Sequence, residues 1–325
     1  MTAAEILAAI PKLSALVVGD ICLDRLCVYD PSLSEPSRET GIPRIAVTSA
    51  EVTPGAGGTV ACNLAALGAA RVAVLGTIGD DGSGMELERA LERRGISTSL
   101  LARDGEIQTF TYTKILNRGT GREDLPRLDF INAGALPPRI ERRLLDSLQS
   151  AVEDFDAILI SDQAETDRGG AVTPAMRDLV ADLAAAYREK IFFVDSRARL
   201  ELFRGVIVKG NGEEAAAACA RIGAADPQTL YAALETPLLI VTRGPEGVVL
   251  HGPSGEIRVP ARRVENPVDI CGAGDSFSAG AALALAAGAA APDAARFGNL
   301  VASITIGKKG TGTASPEEVL AHAGD

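Results

Sequence analysis

Histidine, basic charge and paired cysteine are all scarce in this chain, and each shortage removes a class of function. Only two of the 325 residues are histidine, His251 and His322, and no Ser/His/Asp arrangement forms around either. Lysine and arginine number 32 against 43 acidic residues, for a formal net charge of −11. A nucleic-acid groove needs a basic face to displace counterions, so that partner is not expected, although a few arginines still suffice for a small anion. The five cysteines, Cys22, Cys27, Cys62, Cys219 and Cys271, are odd in number, scattered and without C-x-x-C spacing. Neither a disulfide framework nor a zinc site is indicated. No Walker sequence is present: Lys308 follows a glycine, but the first glycine of that pattern would fall on Ala302. Long apolar runs are missing as well. The uncharged stretches 53–70 and 276–292 are too short and too rich in Gly and Ala to span a bilayer. Residues 1–15 carry an acid and a proline and no basic leader, so no signal peptide is read and a cytoplasmic location is expected.

What is present suits one large α/β unit, residues 1–325: 46% of the residues are hydrophobic, enough for a sizeable core. Periodicity predicts a helix over 3–13 and a buried strand over 15–19, with Asp20 and Asp24 just beyond it. Ligands of open α/β sheets bind past the carboxyl ends of strands, so an aspartate there can meet a hydroxyl; it can equally cap a turn. Residues 29–44 read as a loop and 45–53 as a strand. Two further strands, 108–116 and 126–131, flank the polar loop 117–124, and together these segments predict a small separate sheet. Between them, glycines at 55, 57 and 58 open a helix that ends near Gly68. They do not form a dinucleotide fingerprint, whose third glycine would fall on Val60. Residues 71–76 read as a strand, 79–84 as a turn and 85–94 as a helix. From 138 onward helices to 155, over 174–188 and over 213–221 alternate with strands over 157–161, 191–195 and 206–209, which implies a parallel sheet with helices on both faces. A buried strand over 238–244, a hairpin through 248–251 and 257–260, and helices over 293–306 and 316–322 complete the reading.

Residues 264–288 carry the most chemistry. Gly272, Ala273 and Gly274 have almost no side chain, so their amides can approach an anion, and the helix they open adds unpaired N–H groups and the positive end of its dipole. Asp275, in the first turn, could accept a proton from a hydroxyl held beside that anion, or simply cap the helix. Likewise Asn211 and Glu214, just after a strand, could serve a metal–phosphate complex or cap a helix.

The run Asp269, Gly272, Ala273, Gly274, Asp275, Phe277 and Gly280 resembles the signature D-T-x-G-A-G-D-x-F-x-x-G of the ribokinase-like, phosphofructokinase-B-type (PfkB) sugar kinases, with Ile270-Cys271 where many members carry threonines. The resemblance implies a doubly wound, mostly parallel sheet with a small β-sheet lid, inserted as about 25–53 and 106–132, that closes over a sugar and supplies a homodimer contact. It also implies ATP and Mg²⁺, and a monovalent cation. In its terms Asp275 is the general base and the amides of Gly272, Ala273 and Gly274 hold the transferring phosphoryl group. Asp24, Gly57, Gly58 and Asn63 meet the sugar, with Thr59 where an asparagine is common. Asn211, Thr242, Gly244, Gly247 and Asn299 serve the nucleotide, and Glu214 the metal. Within the family the order of motifs most resembles the kinase half of the bifunctional ADP-heptose synthesis enzymes, which act on a heptose 7-phosphate. Three patterns depart on the substrate side: Ser161-Asp162-Gln163 lacks the lysine of S-D-Y-x-K-G, Asp195-Ser196-Arg197 replaces Asp-Pro-Lys, and Thr59 replaces Asn. No H-x-G-H occurs, so the nucleotidyltransferase half is not expected. A sugar phosphate would need cations, and Arg38, Arg44, Lys114, Arg127 and Arg197 are the candidates. A kinase of a neutral sugar, or a catalytically silent sugar- or nucleotide-binding regulator, remains the alternative.

Overall fold

Continuous β-branched and aliphatic runs such as Leu16-Val17-Val18 and Ile158-Leu159-Ile160 have no polar face to offer solvent, so the sheet they build must be covered on both sides. The computed structural model, which describes residues 1–164, 166 and 168–324, shows how. In chain order the elements are α1 (Ala3–Ala9), β1 (Ser14–Gly19), β2 (Ile21–Tyr29), β3 (Val47–Ala56), α2 (Gly57–Ala66), β4 (Arg71–Gly79), α3 (Gly82–Glu92), β5 (Ile96–Asp104), β6 (Thr111–Asn117) and β7 (Leu128–Phe130). There follow α4 (Pro138–Ala151), β8 (Ala157–Asp162), α5 (Pro174–Ala186), β9 (Ile191–Ser196), β10 (Ile207–Asn211), α6 (Gly212–Ile222), α7 (Pro227–Leu234) and β11 (Leu239–Thr242). The chain closes with β12 (Val248–Gly252), β13 (Gly255–Val259), α8 (Ala273–Ala286), α9 (Ala291–Thr305) and α10 (Pro316–Ala323).

The main sheet has nine strands in the order β13-β12-β11-β10-β9-β8-β1-β4-β5, parallel from β11 to β5 and antiparallel at the β12–β13 hairpin. Alternate residues of each strand feed opposite cores. Ala15, Val17 and Leu159 pack with α1, α2, α8 and α9, whereas Leu16, Val18, Ile158 and Ile160 pack with α4, α5, α6 and α7. A doubly wound, mostly parallel sheet was expected; β5 and α7 were not read from the sequence. The helix assigned to 85–94 starts at Gly82 instead, because the Asp81 carboxylate accepts from the Gly84 amide and caps it there.

The second sheet, β3-β2-β6-β7, is built on β2, a strand the sequence reading missed. Only Asp20 separates β2 from β1, so one nearly continuous extended segment leaves the main sheet and becomes the centre of the lid. The period-2 pattern sends Asp24 and Leu26 to one face, together with Tyr112 and Lys114 of β6, and Cys27 and Tyr29 to the other, where they pack on Ile115 and Leu125.

Asp20 itself is buried, and its carboxylate accepts three backbone N–H bonds, from Gln163 (2.8 Å), Ala164 (2.7 Å) and Ala171 (2.8 Å). It therefore folds the segment after β8 back onto the end of β1. Burial, then the nearby Asp162, push its carboxyl up to about 6 against those three donors. The native state accordingly keeps this proton between about pH 4 and 6, where an unfolded chain has lost it, and the stability contributed by this group falls as pH rises through that window. Asp20→Ala leaves the three donors without their acceptor and is expected to cost about 3 kcal/mol at neutral pH. Urea unfolding measures this; a loss below about 1 kcal/mol would show that the donors find other acceptors.

Candidate active site

The carboxyl ends of the parallel strands, the N-terminus of α8 and the underside of the lid enclose a cleft of about 480 Å³. Its floor is the start of α8. Gly272 precedes the helix at φ +78°, and a side chain there would press on the methyl groups of Thr311 and Thr59 at 3.2 and 3.3 Å. The first intrahelical bond runs from the Ser276 amide to the Gly272 carbonyl. The Ala273 amide is engaged in a turn with the Ile270 carbonyl at 3.2 Å, so the amides of Gly274 and Asp275 are the ones left without a helical partner.

Directly below lies a charge that sequence reasoning did not single out. The Lys209 ammonium, buried in the middle of β10, would stand 3.0 Å from any Cβ at position 274, and it bonds Asp195 of the adjacent β9 at 2.7 Å. Ser278 of α8 donates to the same Asp195 oxygen at 2.9 Å. Burial works to lower the Lys209 pKa, but Asp195, Glu214 and Asp275 outweigh it and hold the pKa above its usual value, so the lysine is charged. A lysine inside the apolar run Ile207-Val208-Lys209 was the signal available, since an unpaired charge is not tolerated there.

Asp275 lines the cleft and its carboxylate has no hydrogen-bond partner among the described residues. Burial, then Asp195, raise its pKa, Lys209 opposes them, and the carboxyl is pushed up to about 7. Across the cleft on β2 stands Asp24, whose carboxyl burial pushes up to about 6 against the attraction of Lys114 and Arg127. It sits over Gly55 of β3: a Cβ at that position would lie 2.6 Å from its carboxyl group.

The glycines read as facing the sugar are placed one step out of phase. Gly57, Gly58 and Asn63 are buried in α2; side chains at 57 and 58 would strike Ile21 and Pro54, and the Asn63 amide donates to the Thr59 carbonyl at 3.0 Å. Ala56 and Thr59 line the cleft in their stead. The reason is that β3 runs on through Gly55 to Ala56, which turns at φ +49° into a helix starting only at Gly57.

Of the basic candidates, Lys114, Arg127 and Arg197 line the cleft, whereas Arg38 and Arg44 do not; Arg44 pairs with Glu35 at 3.3 Å on the exposed loop before β3. Lys114 is loosely paired with Glu123 at 3.8 Å, and Arg127 is bonded to Asp129 at 2.6 Å with its guanidinium 5.1 Å from the Tyr112 ring.

Asn211 and Glu214 form a reciprocal capping box on α6, at 2.9 and 2.6 Å. The bond to the Asn211 amide occupies one carboxylate oxygen of Glu214. Thr242 stands opposite Asn211 across the β10–β11 ladder, with Gly244 just past the strand. Gly247 lets the backbone of 259–261 approach closely, and Asn299 donates to the Val259 and Pro260 carbonyls at 3.5 and 3.3 Å. Among the described residues no three metal-ligating side chains converge. A cation such as Mg²⁺ needs only one or two carboxylates and completes its shell with water and phosphate oxygens, a demand that Glu214 would meet.

The profile of the pfkB family of carbohydrate kinases matches residues 15–318. The bifunctional proteins HldE of Geobacter sulfurreducens, Rhodopseudomonas palustris and Caulobacter sp. are 31, 32 and 34% identical over 96, 98 and 99% of this chain. The chain spans 63, 66 and 65% of their respective lengths. In three dimensions it is similar to phosphofructokinase-2 from Escherichia coli in complex with potassium (TM-score 0.73, 20% identity, 96% of this chain and 98% of that one). It is also similar to Arabidopsis thaliana ribokinase complexed with ribose and ATP (TM-score 0.70, 17% identity, 96 and 98%). This chain belongs to the pfkB family of carbohydrate kinases, with a ribokinase-like fold.

Proposed function

We propose that this sugar kinase transfers the γ-phosphoryl group of ATP to a hydroxyl of a phosphorylated sugar, with a heptose 7-phosphate as the leading candidate. The observation that carries the reading is the placement of Asp275: a carboxylate without a hydrogen-bond partner among the described residues, at the N-terminus of α8, in a cleft whose far wall bears Lys114 and Arg127. The Gly274 and Asp275 amides and the Lys209 ammonium stabilise the charge on the transferring group, and Asp275 takes the proton of the attacking hydroxyl. Asp24 accepts a hydrogen bond from a second sugar hydroxyl, while Lys114, Arg127 and Arg197 face the substrate's own phosphate. Asn211, Thr242, Gly244, Gly247 and Asn299 surround the nucleotide, and Glu214 serves Mg²⁺ through its water shell. The overall likeness to the HldE proteins supports the heptose reading. A monovalent cation beside the Asp269 loop is part of the same proposal, as is a cytoplasmic setting.

A second reading, a kinase of a neutral sugar, is favoured by the pairing of Lys114 with Glu123 and of Arg127 with Asp129, which already satisfies those cations inside the lid. Release of ADP across pentoses, hexoses, heptoses and their terminal phosphates separates the two. The phosphorylated substrates are expected to give the higher kcat/KM, and Lys114→Ala and Arg127→Ala to lower it for them by about tenfold each while sparing neutral sugars. Neutral sugars turned over as well as their phosphates, with no effect of either substitution, would establish the second reading.

Asp275→Asn keeps the size of the side chain and loses the proton acceptor. Turnover should fall by on the order of 10²–10⁴ with ATP affinity nearly unchanged. Because the Asp275 pKa lies near 7, the base form grows as pH rises, so kcat/KM for the native enzyme should climb through about pH 7 and level off above it. A native pH profile flat between 5.5 and 8.5 would remove Asp275 from the role of base. ADP release with none of the sugars would mark the protein as a binding regulator.

The lid also leaves large apolar side chains in solvent: Leu33, Ile42 (67% exposed), Ile45, Val47, Leu128 and Phe130 all lie on it. A second copy of the chain is the proposed cover, giving a homodimer through the lid. Light scattering at micromolar concentration should give twice the monomer mass, and Ile42→Asp with Phe130→Asp should halve it.

A further inference from the structure

The loop that joins α9 to α10 carries two adjacent lysines with opposite fates. Lys308 is consumed by the loop itself: its ammonium donates to the Thr313 carbonyl at 2.6 Å and to the Glu318 carboxylate at 2.8 Å. The next residues are pinned as well. The Gly310 amide donates to Asp269 at 3.2 Å, and Thr311 packs where a Cβ of Gly272 would otherwise lie. Lys309 sits between these anchors, lines the cleft together with Gly272 and Asp275, and forms no ion pair with any described residue. In the same cleft Arg25 and Arg127 are bonded to Glu86 and Asp129, and Lys114 is loosely paired with Glu123 at 3.8 Å.

An exposed lysine on a backbone fixed on both sides, lining the same cleft as the N-terminus of α8, is placed to receive an anion from the solvent side. Lys209 already faces the same spot from the protein side. We propose that Lys309 binds the γ-phosphate of the nucleotide, so that the transferring group is held between a buried and an exposed lysine. This rests on the kinase reading of the cleft. A flexible ammonium stem can follow the phosphoryl group as it passes from donor to acceptor, which a buried, hydrogen-bonded lysine cannot do.

The test is nucleotide binding without turnover, in an Asp275→Asn background, by titration calorimetry with ATP and with ADP in the presence of Mg²⁺. Adding Lys309→Ala should weaken ATP by about tenfold and ADP by less than twofold, and Lys309→Arg should restore most of the loss. The ATP effect should shrink as salt is raised, because the contact is solvent-exposed. Lys309 is on the surface, so thermal unfolding of the variant should match that of its parent. Equal weakening of ATP and ADP, or no weakening, overturns the assignment. In the otherwise native enzyme, a rise in KM confined to the sugar phosphate would move Lys309 to the acceptor's phosphate and overturn it too. These outcomes leave the kinase reading standing if ATP binds the Asp275→Asn protein; if neither nucleotide binds, that reading fails and the role of Lys309 fails with it.

Discussion

The buried contact between Lys209 and Asp195 is the constraint on which the site depends. Two adjacent parallel strands set Lys209 and Asp195 opposite one another in that interior, and at 2.7 Å each supplies the other's counterion. Ser278 ties the pair to α8, so β9, β10 and that helix are locked at one point. Removing either partner would strand a charge beneath the helix terminus, a far larger penalty than the pair's net contribution to stability. The same pair sets the electrostatics above it. Burial and then Asp195 raise the Asp275 pKa, Lys209 lowers it, and the balance falls at about 7, where about half of the carboxylate is ionised at neutral pH and that form is basic enough to take a proton.

Around that lock the cleft has one wall set in the core and one built from the small sheet. After Asp275 helix α8 carries no charge and is buried against α2 and α9, so the anion-binding terminus is held by the core of the molecule. The opposite wall is the lid, which joins the main sheet through the short β1–β2 junction and rests at its base on α3 through Arg25 and Glu86. Asp20, at that junction, spends its whole carboxylate on the backbone of the segment following β8, while Asp24, four residues on, keeps its own turned into the cleft. Two aspartates so close in sequence thus do different work, one holding a loop and one facing the cleft.

The reading from sequence succeeded where the signal is local. Strand and helix alternation from residue 138 onward, the helix opening at the Gly-Ala-Gly-Asp run and the small separate sheet are consequences of periodicity and glycine placement, which act within a few residues. It failed where two local signals compete. The run 54–58 contains three glycines, and β3 continuing against β2 as far as Ala56 puts the start of α2 at Gly57; Ala56 and Thr59 then line the cleft while Gly57, Gly58 and Asn63 are buried in α2. Strand β2 itself carries an Asp-Arg pair that reads as a turn, and only pairing on both sides, with β3 and β6, makes it extended.

By itself, then, the sequence determined the class of fold, the glycine-rich turn that opens α8 and the carboxylate beside it, because these are written in contiguous residues whose chemistry does not depend on distant partners. Which cations face the cleft was decided only by tertiary structure. Lys114 and Arg127 point inward while Arg38 and Arg44 lie outside, Lys209 is brought beneath Gly274 from 65 positions away, and Lys308 is consumed by its own loop while Lys309 is not. A lysine or arginine looks the same in every sequence context. Its role depends on which carboxylate the fold sets within reach, and that is a property of strand register and loop path, to which sequence periodicity is blind.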